Sequence, residues 1–535
     1  MLLDAAVEQW DPQRMSGGPE AGFAVRTYLR TLTTQAPAGS GFPRALVADL
    51  ATDTGRESGG GRTWAFTIVP DARWQDGRAV TCEDVRYGVS RNFARHTLTG
   101  GLPYAASLLD IPLVTDAAGR EVPAYAGPYA GTGQDLYDRA VTCAGSMLTF
   151  HLKVPVHDFD EAVSLPAFAP FRQDQDTQGA GRYAVFSCGP YLLEGTWESG
   201  QGGRFVRNRS WTLSSDPIRE ANPDVIDVRE GIATTTAIQR IIDDKGEDRY
   251  AVTWADAPPA LRQQLLADKD LAGRVTNPVA PGVEYLVPNL RRPAMSSLVT
   301  RQALAMATNR DAFVAAYGGP AAMTPTSSLL ASTVPGRKDI NPFDVGPAGD
   351  PGRARALLIA AKVRLPIPIR VAYRQSDDAD KAFAALRVGW DKAGFAVTLD
   401  PIGAGYYATI SSPEAAQKYD VFRASSSADW PSGSTVIPPT FDSRVNLTGS
   451  GSGRDYGYFS DAAVNAAIDA ASVISDDGLR DTAWGSIDEQ LATLGGHIAL
   501  AQQKSVFIHG SGVVGYSDNL LMGGQVDLAT IRLAK

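Results

Sequence analysis

The chain has 535 residues, of which 44% are hydrophobic and 20% are charged, and its formal net charge at pH 7 is −9. A chain of this length exceeds one hydrophobic core and is expected to form about two to four domains. The negative charge argues against DNA or RNA as a partner, because binding to nucleic acid usually needs a basic face. No run approaches the ~20 apolar residues that a membrane span requires.

The first clear elements are a strand followed by a capped helix. Trp64, Phe66 and Ile68 alternate with less apolar residues, which predicts a half-buried strand. Thr81, with Asp84 three residues later, predicts the start of a helix whose side chains and backbone cap each other. The carboxylates at this point therefore have a structural explanation, and the sequence does not favour catalysis there.

Later segments alternate between strand and helix patterns. Residues 367–399 contain "IPIRVAY", a helical stretch that ends at Gly394, and "FAVTL", which together predict a parallel, right-handed βαβ unit. Asp350 before Pro351 predicts another helix start, and residues 479–492 predict a helix with one apolar face. This alternation favours the α/β class.

Cysteine and histidine usage gives little support for a metal site. Cys82, Cys143 and Cys188 have the wrong spacing for zinc, and in an oxidising compartment they could form one bridge and leave one free thiol. The five histidines are scattered, without an H-x-x-x-H or H-E-x-x-H pair. We expect no metal and no cofactor.

Known catalytic and nucleotide-binding motifs do not fit either. Gly510, Gly512 and Gly515 have the spacing of a dinucleotide fingerprint, but the required helix, second strand and acidic residue do not follow, so a glycine-rich turn is the better interpretation. The chain contains neither a P-loop ending in Gly-Lys-Ser/Thr nor a G-x-S-x-G elbow. The sequence therefore gives no positive indication of an enzyme.

Five stretches resemble, in family order and along nearly the whole chain, the solute-binding proteins of peptide and nickel ABC importers, which are family 5 of the extracellular solute-binding proteins. They are "QWDPQR", "WQDGRAVTCEDVRY", "SCGPYLLEGTWESGQGGRFVRNRSW", "TRQALAMATNRDAFVAAY" and "SADWPSG". The resemblance implies a two-lobe periplasmic-binding-protein fold, class II-like, with a hinge and an extra inserted subdomain. By analogy, lobe I holds residues 1–35, 166–277 and 498–535, the insert holds 36–165, and lobe II holds 278–497.

The same resemblance implies a monomeric, extracytoplasmic receptor that captures oligopeptides and delivers them to the permease of an ABC importer. It would be a cell-surface lipoprotein whose signal segment and lipid anchor are missing from this chain. Two alternatives remain. One is a receptor for arginine or another small cationic metabolite. The other is a hydrolase on the same scaffold, which would need a nucleophile and a base that the scattered histidines do not suggest.

Ligand-binding residues are also implied by the resemblance. Oligopeptide-binding relatives pair an aspartate of the fifth stretch with the peptide's α-ammonium, and an arginine six positions earlier helps with the C-terminal side; Asp429 and Arg423 have this spacing. Tyr407 stands where relatives place a tryptophan against a ligand side chain. Asp429 could instead cap a turn before Pro431, and Arg423 could form an interlobe or surface salt bridge.

Further positions are matched by short motifs. Tyr104 matches a pocket tyrosine of the insert, and Glu20 matches an acidic residue near the ligand, although both could serve packing or solvation. Ser426 and Ser427 replace a Trp-Cys pair of some relatives, which implies a wider and more polar pocket. An acidic Glu20 facing that space would suit a guanidinium or ammonium group.

The stretch around residue 82 and "AVTCAGSMLTFHL" resemble actinobacterial members of the family most, some of which lie in antibiotic gene clusters such as that for clavulanic acid. This narrower resemblance implies a disulfide between Cys82 and Cys143, with Cys188 free.

Overall fold

A computed structural model of the protein describes residues 1–16, 18–37, 46–117, 119–448, 451–520 and 524–535. The chain divides into two units. Unit 1 contains residues 1–258, 265–276 and 507–535, and unit 2 contains residues 259–264 and 277–506. Both units combine helices and strands, which confirms the predicted α/β class.

The strands are β1 (Thr33–Gln35), β2 (Leu46–Ala48), β3 (Arg56–Ser58), β4 (Thr63–Thr67), β5 (Leu113–Thr115), β6 (Glu121–Pro123), β7 (Val141–Ala144), β8 (Met147–His151), β9 (Tyr191–Glu198), β10 (Gly202–Arg207), β11 (Val225–Arg229), β12 (Val275–Thr276), β13 (Val279–Pro288), β14 (Met323–Pro325), β15 (Ile367–Arg374), β16 (Phe395–Ile402), β17 (Val421–Ser427), β18 (Ile498–Lys504), β19 (Phe507–Ile508), β20 (Val513–Val514), β21 (Asp518–Asn519), β22 (Gln525–Val526) and β23 (Arg532–Leu533).

The α-helices are α1 (Pro19–Thr27), α2 (Cys82–Arg91), α3 (Tyr104–Leu108), α4 (Gln134–Ala140), α5 (Phe159–Ala162), α6 (Thr234–Asp243), α7 (Pro259–Ala267), α8 (Pro293–Ser296), α9 (Leu298–Ala307), α10 (Arg310–Ala316), α11 (Pro351–Ala360), α12 (Asp377–Ala393), α13 (Tyr406–Ile410), α14 (Pro413–Lys418), α15 (Pro438–Phe441), α16 (Ser443–Asn446), α17 (Ala462–Ser472) and α18 (Asp477–Thr493). In the described part of the chain, none of the helices is long and apolar enough to cross a membrane.

Unit 1 contains the strand and the capped helix that the sequence predicted near its start. Trp64 and Phe66 of β4 are buried between half-buried neighbours, and β4 lies in a four-stranded sheet of order β3-β4-β8-β7. The Thr81 hydroxyl accepts a hydrogen bond from the Asp84 N–H, and the Asp84 carboxylate accepts one from the Thr81 N–H at 2.8 Å. Asp84 therefore stabilises the start of α2, as predicted.

A disulfide ties α2 to this sheet. It joins Cys82, the first residue of α2, to Cys143 in β7, and Cys188 is a buried free thiol. The bond closes a segment of 61 residues, so it restricts the unfolded chain as well as the folded subdomain.

Buried ion pairs connect distant parts of unit 1. Arg26 of α1 pairs with Asp527 near the C-terminal end at 2.8 Å, and both side chains are at most 2% exposed. Arg219 pairs with Asp49 at 2.7 Å and with Asp216 at 2.9 Å, again in the interior. Each pair has little contact with water, which makes the loss of a single partner costly.

Unit 2 is built on a six-stranded sheet of order β14-β18-β13-β17-β15-β16. The predicted βαβ unit is confirmed, because β15 and β16 pair in parallel and α12 connects them. Gly394 ends α12 with φ of +108°, a conformation that favours glycine. The helix starts predicted at Asp350 and near residue 479 are confirmed as α11 and α18.

The strand β18 lies in unit 2, which differs from the boundary predicted at residue 497. Its backbone pairs with β13 and with β14, and its apolar residues complete the layers on both faces of the sheet. The chain therefore passes to unit 1 at residues 506–507, after the strand. The division of unit 1 into a lobe and an inserted subdomain stays a prediction.

Replacing both Cys82 and Cys143 by serine is expected to lower the free energy of unfolding by about 2–4 kcal/mol, because the unfolded chain regains the freedom of the closed segment. Urea titration under non-reducing conditions measures this. Cys188→Ala is the control, since it removes a thiol that is not part of the disulfide and should lower the free energy of unfolding by less. Equal midpoints for the double variant and the wild type would contradict the expectation.

Candidate functional site

Polar side chains gather where several strands of the unit 2 sheet end together. Because β15 and β17 are parallel and β13 runs antiparallel to β17 and β18, the carboxyl ends of β15, β17 and β18 lie beside the amino end of β13. Open α/β sheets bind ligands beyond the carboxyl ends of their strands. We call this part of unit 2 the sheet end, defined by residues 282–284, 374–375, 425–427 and 502–504.

Two hydrophobic layers cover the faces of the sheet, and alternation along β17 assigns its side chains to them. Layer A contains Val421, and layer B contains Phe422 and Ala424. Arg423 therefore points to the side of layer A. By the same alternation, Ser425 and Ser427 share the side of Arg423, and Ser426 shares the side of layer B, because β17 continues through Ser427.

Arg423 forms a buried ion pair with Glu284 of β13. Its Nη2 and Nε lie 2.7 Å and 2.8 Å from the Glu284 Oε2, and the two side chains are 14% and 2% exposed. The other carboxylate oxygen of Glu284 accepts a hydrogen bond from the Gln503 amide at 2.6 Å. Burial by itself would lower the pKa of Arg423, but the Glu284 carboxylate raises it above its usual value. The charge of Arg423 is thus already balanced inside the protein.

Tyr407 is held on the side of layer B by its neighbour Tyr406. The Tyr406 hydroxyl donates to the Arg423 carbonyl at 2.7 Å and accepts from the Arg423 backbone N–H at 3.1 Å, which fixes α13 to β17. The ring of Tyr407 lies 5.2 Å from Tyr406 and 6.3 Å from Tyr456, yet 40% of the residue is exposed. Tyr407 thus offers a fixed aromatic surface to solvent or to a ligand.

Asp429 lies just beyond β17, half-buried in the turn that follows the strand. Ser426 is half-buried and Ser427 is exposed. The sheet end and its immediate neighbours in unit 2 therefore include Asp429, Ser426, Ser427, Tyr407 and Arg423.

The two other residues predicted to bind ligand lie in unit 1. Tyr104 is the first residue of α3 and is half-buried. Glu20 lies in the first turn of α1, where burial raises its pKa, partly offset by a backbone hydrogen bond. Among the residues that the structure describes, no group of three or more His, Cys, Asp or Glu side chains is arranged to hold a metal ion.

The sequence analysis did not single out Glu284, Gln503 or Tyr456. For Glu284 a signal was present: in "VAPGVEYLVP" it is the charged residue within an otherwise apolar strand, and a charge in such a place needs a partner. Gln503 and Tyr456 carried no comparable signal, because their contacts depend on strand pairing and loop packing between distant segments.

Asp455 precedes Tyr456 and is 1% exposed. Its Oδ1 accepts from the Gly457 N–H at 3.1 Å, whereas its Oδ2 is buried and has no hydrogen-bond partner among the residues that the structure describes. Burial raises the pKa of Asp455 to about 8, and hydrogen bonds from the backbone N–H groups of residues 457–459 only partly oppose this. The carboxyl group is therefore protonated at neutral pH.

We expect Asp455 to make the protein less stable as pH rises from about 4 to about 8. Over this range the unfolded chain loses the proton near its ordinary pKa of about 4 while the folded protein retains it, so the folded state binds more protons. Asp455→Asn should reduce this loss in the free energy of unfolding by a few kcal/mol, since its amide mimics the protonated carboxyl group. Urea unfolding at several pH values measures the difference.

The exposed Asp339, whose side chain is 89% accessible, provides the control as Asp339→Asn, which should keep the wild-type decline. Parallel pH profiles for wild type and Asp455→Asn would contradict the assignment.

Comparison with known proteins places the chain among binding proteins. A sequence model of the bacterial extracellular solute-binding proteins, family 5, middle region, matches residues 45–447. A search of curated protein sequences gives no significant match.

Solved structures resemble the whole chain. The clavulanic acid biosynthesis oligopeptide binding protein 2 is 25% identical with a TM-score of 0.88, covering 100% of this chain and 95% of its own. The murein tripeptide binding protein MppA of Escherichia coli is 20% identical, with a TM-score of 0.69 and coverage of 100% and 98%. Haemophilus influenzae OppA, solved with the peptide RPPGFSPFR, is 18% identical, with a TM-score of 0.68 and coverage of 100% and 99%. The latter two matches concern the fold alone. All three share the predicted periplasmic-binding-protein fold.

Proposed function

The chain belongs to family 5 of the bacterial extracellular solute-binding proteins, and on that basis we propose that it captures oligopeptides outside the cytoplasm and delivers them to the permease of an ABC importer. The observation that carries this proposal is the fold match along the entire chain to a protein named as oligopeptide binding. The polar and aromatic sheet end of unit 2 supports it, because an extended peptide needs hydrogen-bonding groups together with surfaces for its side chains.

The proposal describes a receptor that binds and releases its ligand without a chemical step. It acts as a monomer, held at the cell surface by a lipid anchor, and its other partner is the importer. The likeness to a protein named for clavulanic acid biosynthesis extends the proposal to an actinobacterial source and a role in antibiotic production.

In this proposal Asp429 binds the α-ammonium group of the peptide. Its position two residues after Ser427, at the carboxyl end of β17, supports this role. Tyr407 packs against a ligand side chain, and Ser426 and Ser427 leave space around it. Arg423, Tyr104 and Glu20 are the remaining ligand-binding residues of the proposal.

Asp429→Ala is expected to weaken binding of a peptide with a free α-amino group by about 2–5 kcal/mol, because an ammonium ion taken from water would lose its carboxylate partner. The same peptide with an acetylated N-terminus should bind wild type and variant with similar affinity. Isothermal titration calorimetry measures both. Asp339→Ala, at an exposed aspartate of unit 2, is the matched control and should bind like wild type. An unchanged affinity of Asp429→Ala for the free-amine peptide would remove Asp429 from the site.

The proposed ligands include peptides that carry arginine, and arginine itself. Both carboxylates assigned to the site by resemblance, Glu20 and Asp429, attract cations, and Ser426 and Ser427 offer space and hydrogen-bonding groups for a guanidinium. The net charge of −9 also attracts positively charged ligands over longer distances.

We expect arginine-containing peptides to compete for binding better than acidic peptides of equal length, by about tenfold, which corresponds to ~1.4 kcal/mol. A competition assay with a fluorescent peptide ranks them, and neutral peptides of the same length are the control. If acidic peptides compete best, the charge preference is wrong, although peptide binding itself would stand.

A further inference from the structure

The cation expected to meet a ligand's carboxylate, Arg423, is not available as a free charge. Glu284 neutralises it at 2.7 Å, Gln503 occupies the remaining oxygen of Glu284, and the Arg423 side chain is 14% exposed. A ligand carboxylate approaching this pair would meet a guanidinium and a carboxylate together, so the net attraction would be small. Arg423 also lies on the side of layer A.

A second arginine at the sheet end has the properties that Arg423 lacks. Arg374 is the last residue of β15, it is exposed, and among the described residues no carboxylate lies within 4.0 Å of its guanidinium. In the parallel pair of β15 and β16 it is level with Ile402, which packs on layer B. Ala372, two residues earlier, is part of layer B as well. Arg374 therefore projects from the same face as Ser426.

The position of Arg374 relative to the aromatic surface agrees with this. Burial and the Glu284 carboxylate raise the pKa of Tyr407, and Arg423 and Arg374 act in the opposite direction, so the Tyr407 hydroxyl lies near all three charged groups. Within the described part of the chain, an arginine without a carboxylate partner, an exposed tyrosine and Ser426 thus lie at the carboxyl ends of the strands.

We propose that Arg374, and not Arg423, holds the carboxylate of the ligand at this sheet end. The inference rests on the proposed function and makes the ligand class more specific: peptides with a free C-terminal carboxylate are bound better than the same peptides as carboxamides. A guanidinium presents two parallel N–H donors to a carboxylate. The carboxamide of a blocked peptide carries no negative charge and therefore pairs less well with the guanidinium. The Arg423–Glu284 pair then serves as a neutral part of the wall.

The test compares the nonapeptide RPPGFSPFR with its C-terminal carboxamide by calorimetry. Wild type should bind the acid about tenfold tighter than the amide. Arg374→Gln should bring this ratio of affinities to about one, because it weakens binding of the acid and leaves binding of the amide unchanged. Arg454→Gln is the matched control, because Arg454 is another exposed arginine of unit 2 near the same tyrosines, and it should keep the wild-type ratio.

A further variant separates the two candidate anchors. Glu284→Met combined with Arg423→Met removes the buried pair without leaving one charge alone, and it should also keep the acid-to-amide ratio of wild type. Urea unfolding checks that each variant is folded. Loss of the ratio in this double variant but not in Arg374→Gln would assign the carboxylate to Arg423 and overturn the proposal.

Equal binding of acid and amide by wild type would also overturn it, since no cation would then hold the carboxylate. If wild type binds neither this nonapeptide nor a series of shorter peptides, the proposed function itself fails, and the inference fails with it. Equal binding of both forms is thus failure of the inference alone, whereas absence of binding is failure of the proposed function.

Discussion

The main constraint on unit 2 is that both faces of its six-stranded sheet are covered by hydrophobic layers. In β13 every residue from Ala280 to Pro288 is buried, so a polar side chain within this strand must find its partner inside the protein. Glu284 meets this requirement through Arg423 and Gln503. Groups that remain available to a ligand are therefore confined to the places where strands end, and this confinement is what makes the sheet end the candidate site.

The same constraint explains the arginines of the stretch "TRQALAMATNRDAFVAAY". Arg301 donates to the Leu494 carbonyl at the end of α18, and Arg310 donates to the Ala499 carbonyl of β18. Burial lowers the pKa of both arginines, and to about 10 for Arg310. These side chains connect helices to neighbouring backbone instead of facing a ligand. This stretch therefore belongs to the scaffold of unit 2, and the candidate ligand-binding groups of that unit lie elsewhere, at the sheet end.

Sequence analysis succeeded where a structure depends on nearby residues. The cap formed by Thr81 and Asp84 and the βαβ unit that begins at residue 367 are set by local periodicity and by side-chain contacts with nearby backbone. The ion pair between Glu284 and Arg423 joins residues 139 positions apart, and only the register of β13 against β17 brings them together. For the same reason the sequence could not place β18 in unit 2, because its pairing with the distant strands β13 and β14 decides this.

The buried pair of Arg26 and Asp527 has a consequence for how the protein is made. The two residues are separated by 501 positions, so the first helix of unit 1 lacks its ionic partner until residue 527 has been synthesised. An arginine without its carboxylate partner in that interior is costly, so α1 cannot reach its final packing before Asp527 is available. The packing of α1 is therefore completed only after the 501 residues that follow Arg26 up to Asp527 have been synthesised.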